Sequence, residues 1–179
     1  MNRVISPHGA DWAAGEALAG AISAWEGAVG VALPEDYRRF MTGYNGGHPY
    51  PNMFLHTALT PEAGCANPTE HFCDPLYDWD YTLKWSAELG DRLPPGCLTI
   101  GGDPGLLEIV LSLRPEDFGA VYSWLRNHGV WGSAENSYIC PQAPSFAGFL
   151  AALFDNEERH GYDYWYSPRG DLLKRPLDP

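Results

Sequence analysis

Basic side chains are scarce in this sequence: 11 lysines and arginines stand against 23 aspartates and glutamates in 179 residues, a formal net charge of −12. That balance excludes a nucleic-acid binder that works by neutralising phosphates. No apolar run approaches the roughly 20 residues needed to span a bilayer. The opening stretch, Met1 to Asp11, also lacks the apolar core of a secretory signal. Only four cysteines occur, Cys65, Cys73, Cys97 and Cys140, too few and too scattered for the disulfide framework of a small secreted domain. A reducing cytoplasm is the expected setting. No internal repeat, low-complexity tract or linker divides the chain.

What is present is apolar and aromatic. Hydrophobic residues make up 45% of the chain and charged ones only 19%, far from the composition of disordered sequences. The length supports one sizeable core, so residues 1–179 are expected to form a single domain. Seven Trp, ten Tyr and seven Phe exceed what a core strictly requires, which leaves some for a partner.

Leu18, Ala21, Ile22 and Trp25 recur at helical spacing and predict a helix over about residues 11–26. Pro34 suits a first helical position and is followed by Glu35 and Asp36 at the positive end of the dipole. Tyr37, Phe40, Met41 and Tyr44 then line an apolar face, and Asn45-Gly46-Gly47 supplies the left-handed stop. Five prolines between His48 and Tyr81 predict a long irregular loop. A short helix over Thr82 to Leu89 follows, then strands at Leu98–Ile100, Leu107–Leu113 and Val121–Leu125. Ser145 caps a closing helix whose face holds Phe146, Phe149, Leu150 and Leu153. The order helix, helix, strands, helix is that of an α+β fold. Tyr162, Tyr164, Trp165 and Tyr166 are costly to leave in water, so the tail is expected to pack back or form an edge strand, loose beyond Pro168.

Catalytic signals are weak. Cys65, His71 and Cys73 lie within a short stretch that Cys97 or His56 could complete, but the spacing matches no usual zinc pair, so no metal and no cofactor is expected. Gly101-Gly102-Asp103-Pro104-Gly105 lacks the Lys-Ser/Thr of a phosphate loop and reads as a hairpin turn. None of the six histidines sits in a recognisable nucleophile motif. Beyond its role as a helix stop, Asn45-Gly46-Gly47 could offer bare backbone to a closely approaching partner.

Glu26-x-x-Val29-Gly30-x-x-Leu33-Pro34-x-Asp36-Tyr37, continuing through Phe40 to Asn45-Gly46-Gly47, resembles the opening signature of the Smi/Knr-type domain of the SUKH superfamily. Leu98-Thr99-Ile100-Gly101-Gly102, Glu108 to Leu111, Gly119 to Tyr122 and Ser145-Phe146-x-x-Phe149-Leu150 continue the likeness in order. It spans about residues 12–155 and leaves 156–179 as a C-terminal extension. The resemblance implies a mostly antiparallel sheet flanked by helices and no enzymatic activity. It also implies an immunity protein that neutralises a cognate toxin, often a nuclease or deaminase, or else a regulator or scaffold in cell-envelope or cell-wall metabolism.

Between residues 48 and 113, nine carboxylates face only Lys84 and Arg92. The densest stretch carries Glu70, Asp74, Asp78 and Asp80 beside Phe72, Tyr77, Trp79 and Tyr81, with no Lys or Arg. One reading is a nucleic-acid mimic whose Glu70, Asp74, Tyr77, Asp78, Trp79, Asp80 and Tyr81 contact a basic protein partner, with no nucleic acid or membrane involved. The other is a solvated acidic loop whose aromatics turn inward, since Trp79 and Tyr81 share one face of an extended segment. Oligomeric state is not legible at this level.

Overall fold

The computed structural model describes residues 3–9, 12–57, 59–60, 64–65, 68–126, 129–133, 139–155 and 174–177. Among the described residues, four α-helices and several antiparallel sheets give an α+β fold. None of the helices among the described residues is long and apolar enough to cross a membrane.

The helices follow the hydrophobic pattern, with shifted ends. α1 runs Glu16–Val29, buries Ile22, and stops at Gly30, whose φ of 74° is left-handed. Ala21, expected on its apolar face, is exposed. α2 runs Glu35–Tyr44 and buries Tyr37, Phe40 and Met41. Pro34 stands one place earlier than expected, as the residue before the helix, because its ψ of 136° is extended. Glu26 explains why the α1–α2 connection has the sequence it has: its Oε1 accepts from the Leu33 N–H at 2.8 Å, and its Oε2 lies 3.4 Å from Arg38 Nε. Asp36 accepts from the Tyr37 N–H and from the Ala147 N–H, each at 2.8 Å. The second bond ties α2 to α4, Phe146–Ala152, which Ser145 caps as expected by accepting from Gly148 N–H.

The segment between His48 and Tyr81 is not the long loop that its prolines predict. It contains β2 (His48–Tyr50), β3 (Met53–His56), β4 (Leu59–Thr60), β5 (Gly64–Cys65) and β6 (Thr69–Phe72). β3 pairs with β6 and β4 with β5, both antiparallel. β1 (Val4–Ser6), unsignalled in the sequence, pairs with β2 on one side and on the other with β11 (Arg175–Pro176). Lys174–Leu177 is therefore not loose: Leu177 is buried and its N–H donates to Arg3 O. Tyr162, Tyr164, Trp165 and Tyr166 lie outside the described residues.

The main sheet has the order β10-β9-β8-β7, with β7 Cys97–Gly102, β8 Leu107–Ser112, β9 Val121–Leu125 and β10 Ile139–Ala143. Every residue of β7 and β8 is buried, because both faces of the sheet are covered. Ile100, Ile109, Leu111 and Val121 face the main core with Tyr37, Phe146 and Phe149. Val110, Trp124 and Cys97 face a second cluster with Leu89 and Leu93. The outer edge of β7 is closed by residues 74–77: Asp74 N–H donates to Gly102 O at 3.0 Å, Gly102 N–H to Pro75 O at 3.2 Å, and Tyr77 N–H to Ile100 O at 2.8 Å. An open edge would template pairing with another chain. Here the acidic middle of the sequence is bonded onto the sheet instead.

Candidate functional site

α3 (Trp79–Leu89) begins three residues earlier than its pattern predicts, because Asp78 caps it: the carboxylate accepts from the Tyr81 N–H at 2.7 Å. Asn45, at φ 54° after α2, ties this end to the chain before α1. Its Oδ1 accepts from the Trp79 N–H at 2.9 Å, and its Nδ2 donates to Ala13 O at 3.0 Å. Gly47 and Leu76 exchange two backbone hydrogen bonds of 2.9 Å. Gly46 packs so closely on the Tyr77–Asp78 peptide that a Cβ there would lie 2.6 Å from Tyr77 C and O. The bare backbone of Asn45-Gly46-Gly47 thus receives the chain's own residues 76–79.

This cradle sets one wall of an open groove of about 440 Å³, whose lining includes His8, Asp74, Tyr77, Asp78, Tyr81 and Asp103. Four of the seven residues singled out from the acidic stretch meet there. Asp74 is nearly buried and bonded to His48 Nδ1. Tyr77 donates its hydroxyl to Glu108 Oε2 at 3.1 Å, and Tyr81, 42% exposed, lays its ring edge-on to Tyr77 at 4.6 Å. Burial and the facing Glu108 carboxylate push the Tyr77 phenol well above its ordinary range.

The other three lie elsewhere. Trp79 is 3% exposed and packs edge-to-face on Trp25 at 5.3 Å, so it belongs to the core and offers no surface to a partner. Asp80 is exposed on α3, and Glu70 sits on β6 opposite Leu55. Neither lines the groove.

Sequence reasoning missed His8 and Asp103. Asp103 sits in the β7–β8 turn, where its Oδ1 accepts from Gly105 and Leu107 N–H at 2.7 and 3.0 Å and its Oδ2 pairs with His71 Nδ1 at 2.8 Å. Burial alone would raise its pKa, but the His71 and backbone donors hold it below the usual carboxylate range. Local desolvation of the ring, then neighbouring His48, lowers His8, although the residue is exposed. Glu108, 3% exposed and 3.0 Å from Arg126 Nε, is raised by burial despite the donors around it. A lone acid inside the apolar run Leu106 to Leu111 was the available signal for that buried pair.

His71 is thus occupied by Asp103, and Cys73, Cys97 and Cys140 are buried free thiols, with burial pushing Cys73 far up. Among the described residues no three histidine, cysteine or acidic side chains converge as metal ligands, and the side chain of Cys65 lies outside them.

His56, 5% exposed on β3, bonds Ser123 Oγ through Nδ1 at 2.7 Å. Burial, with help from His71, pushes it down to about 4. The unfolded chain takes up this proton near pH 6.5 and the folded one only near 4, so stability is lost as pH falls through that window. Discounted for screening, the loss attributable to His56 is on the order of 2 kcal/mol. Urea titrations at pH 7 and pH 4.5 should show a steeper fall for the native protein than for His56→Gln. Equal falls would mean that His56 protonates without cost.

Residues 16–152 match the model of the SMI1 / KNR4 family (SUKH-1), from the start of α1 to the end of α4. The match takes in the Asn45–Gly47 cradle and the groove residues Asp74, Tyr77, Asp78, Tyr81 and Asp103, with His8 lying before it. A search of the curated proteins finds no match.

Proposed function

Because the chain belongs to the SMI1 / KNR4 family (SUKH-1), we propose that it is a non-enzymatic, cytoplasmic immunity protein that occludes a cognate toxin domain of nuclease type with an acidic surface. The single observation that carries this reading is the groove at the start of α3. It sets Asp74, Asp78 and Asp103 beside Tyr77 and Tyr81, and no lysine or arginine lines it among the described residues. Nucleases bind phosphates through basic clefts, and an acidic, aromatic surface complements such a cleft in charge and in contact chemistry. Tyrosines are rigid contact residues that concentrate binding energy. Tight inhibition needs no chemistry: immunity proteins of other folds hold DNase toxins with Kd near the non-covalent ceiling, about 10⁻¹³ to 10⁻¹⁶ M.

The test is co-purification of the tagged protein from its host at low and high salt, with the partner identified by mass spectrometry and assayed. A basic, nuclease-like protein held one-to-one and inactive supports the reading. Envelope or wall-synthesis proteins released by modest salt would replace it with a scaffolding role. The captured partner also allows a kinetic prediction. Asp78→Asn keeps the cap of α3, so the double variant Asp78→Asn, Asp80→Asn removes charge without unwinding the helix. Its association should slow by about tenfold at low salt and lose much of its salt dependence. An unchanged rate constant in stopped-flow would place the docking face elsewhere.

A further inference from the structure

We infer that the groove receives an arginine side chain from the protein partner, with the guanidinium against the Tyr77–Tyr81 wall and its N–H fork on the carboxylates. The inference rests on the binding reading above and adds the chemistry of the contact. Its basis is first one of shape. The two tyrosine rings meet at 62°, and Tyr81 is further backed by Trp85, whose ring lies 6.1 Å away and nearly parallel at 23°. A planar cation can lie on such a wall, where the negative face of an aromatic ring attracts it.

The carboxylates are positioned in advance of any ligand. Asp74 is bonded to His48, Asp103 to His71 and two backbone N–H groups, and Asp78 to the Tyr81 N–H. These bonds occupy Asp74 Oδ1 and Asp78 Oδ1, and among the described residues no donor is bonded to the second oxygen of either. The second oxygen of Asp78, at the exposed start of α3, can therefore accept from outside, while Asp74, only 6% exposed, adds negative charge to the groove wall. Among the described residues no lysine or arginine lines the groove; His8 does, edge-on to His48 at 5.3 Å, and desolvation together with His48 lowers its pKa. Among the described residues, the tethered carboxylates thus have no permanent cation beside them in the groove lining. The groove lies between the start of α3, the β7–β8 turn and the chain after β1, so its width is set by three anchored segments rather than one loop.

Arginine fits better than lysine. A guanidinium presents several donors in a plane, can engage two carboxylates at once, stacks on aromatic faces and sheds water more readily than an ammonium.

The test titrates the isotope-labelled full-length protein with N-acetyl-arginine amide at pH 7.5 and follows NMR shifts. N-acetyl-citrulline amide serves as the neutral isostere and N-acetyl-lysine amide as the point charge. We expect saturable binding at about 1–10 mM for arginine, with shifts confined to Tyr77, Asp78, Tyr81 and Asp103. Lysine should bind several-fold more weakly and citrulline not measurably. Tyr81→Ala should weaken arginine binding at least about fivefold, Tyr81→Phe should restore it, and Asp78→Asn should weaken it with the melting temperature kept. Shifts scattered over all surface carboxylates, equal binding of citrulline or lysine, or no effect of Tyr81→Ala would each overturn the inference. A captured toxin together with a failed arginine titration would overturn the arginine site and leave the immunity reading standing. A successful titration with no toxin captured would support the site and count against immunity.

Discussion

Trp79→Ala should destabilise the protein by about 4 kcal/mol, the cost of emptying a large aromatic site in a packed core. At this chain length that corresponds to a fall in melting temperature of roughly 10 °C. Trp79 is 3% exposed, opens α3, and packs edge-to-face on Trp25 of α1 at 5.3 Å. Removing it leaves a cavity between the two helices and strips Trp25 of its partner. The hydrogen bond from its N–H to Asn45 belongs to the backbone and survives the substitution. Unfolding followed by denaturant gives the stability, and partner affinity measured per folded molecule gives the rest. The expected pair is a large loss of stability with affinity retained. A stable variant with a raised off-rate would instead put Trp79 in the interface.

Gly46→Ala is the second large effect, at about 3–4 kcal/mol from strain and overpacking together. Two costs add. The residue sits at φ 78°, a left-handed conformation that costs an L-residue roughly 1–2 kcal/mol. The new methyl would also lie 2.6 Å from Tyr77 C and O and 2.7 Å from Asp78 N, all backbone atoms of the groove wall. That single peptide is held on both sides, since Tyr77 N–H is bonded to Ile100 O of the sheet and Asp78 caps α3. Gly30→Ala separates the two costs. Gly30 has a similar φ of 74° but nothing within 4 Å of the point its new methyl would occupy, so it should lose only the conformational part, about 1–2 kcal/mol. Equal losses at the two positions would mean that the cradle contact contributes nothing. Because the Gly46 methyl pushes on Tyr77 and Asp78, that variant should also weaken whatever the groove binds, whereas Gly30→Ala should not.

Both substitutions bear on residues whose roles the sequence posed but left open. The helical faces were legible because Ile22, Tyr37, Phe40, Phe146 and Phe149 recur at helical spacing and are all buried. β7, β8 and β9 were legible because branched and aromatic residues cluster between strong turn signals, and the Asp103 turn joins the first two as expected. The strands of residues 48–72 were not. Runs of two to four residues broken by prolines carry no measurable period, and they exist because distant segments pair with them. β1 and β11 are the extreme case, separated by nearly the whole chain.

Local pattern was therefore enough for the α+β composition, the family signature, the caps at Ser145 and Asn45, and the concentration of negative charge in the middle of the chain. The tertiary structure settles which of those charges and rings line the groove. It turned Trp79 inward and Tyr81 outward although they stand two apart, because the cap at Asp78 makes this stretch helical, and residues two apart on a helix point in different directions. It also brought His8 and Asp103 to a groove whose other charged and aromatic residues lie between positions 74 and 81. Local pattern reflects each segment's own periodicity, whereas a groove is defined by segments far apart in the chain, and only the packed sheet and helices hold those together.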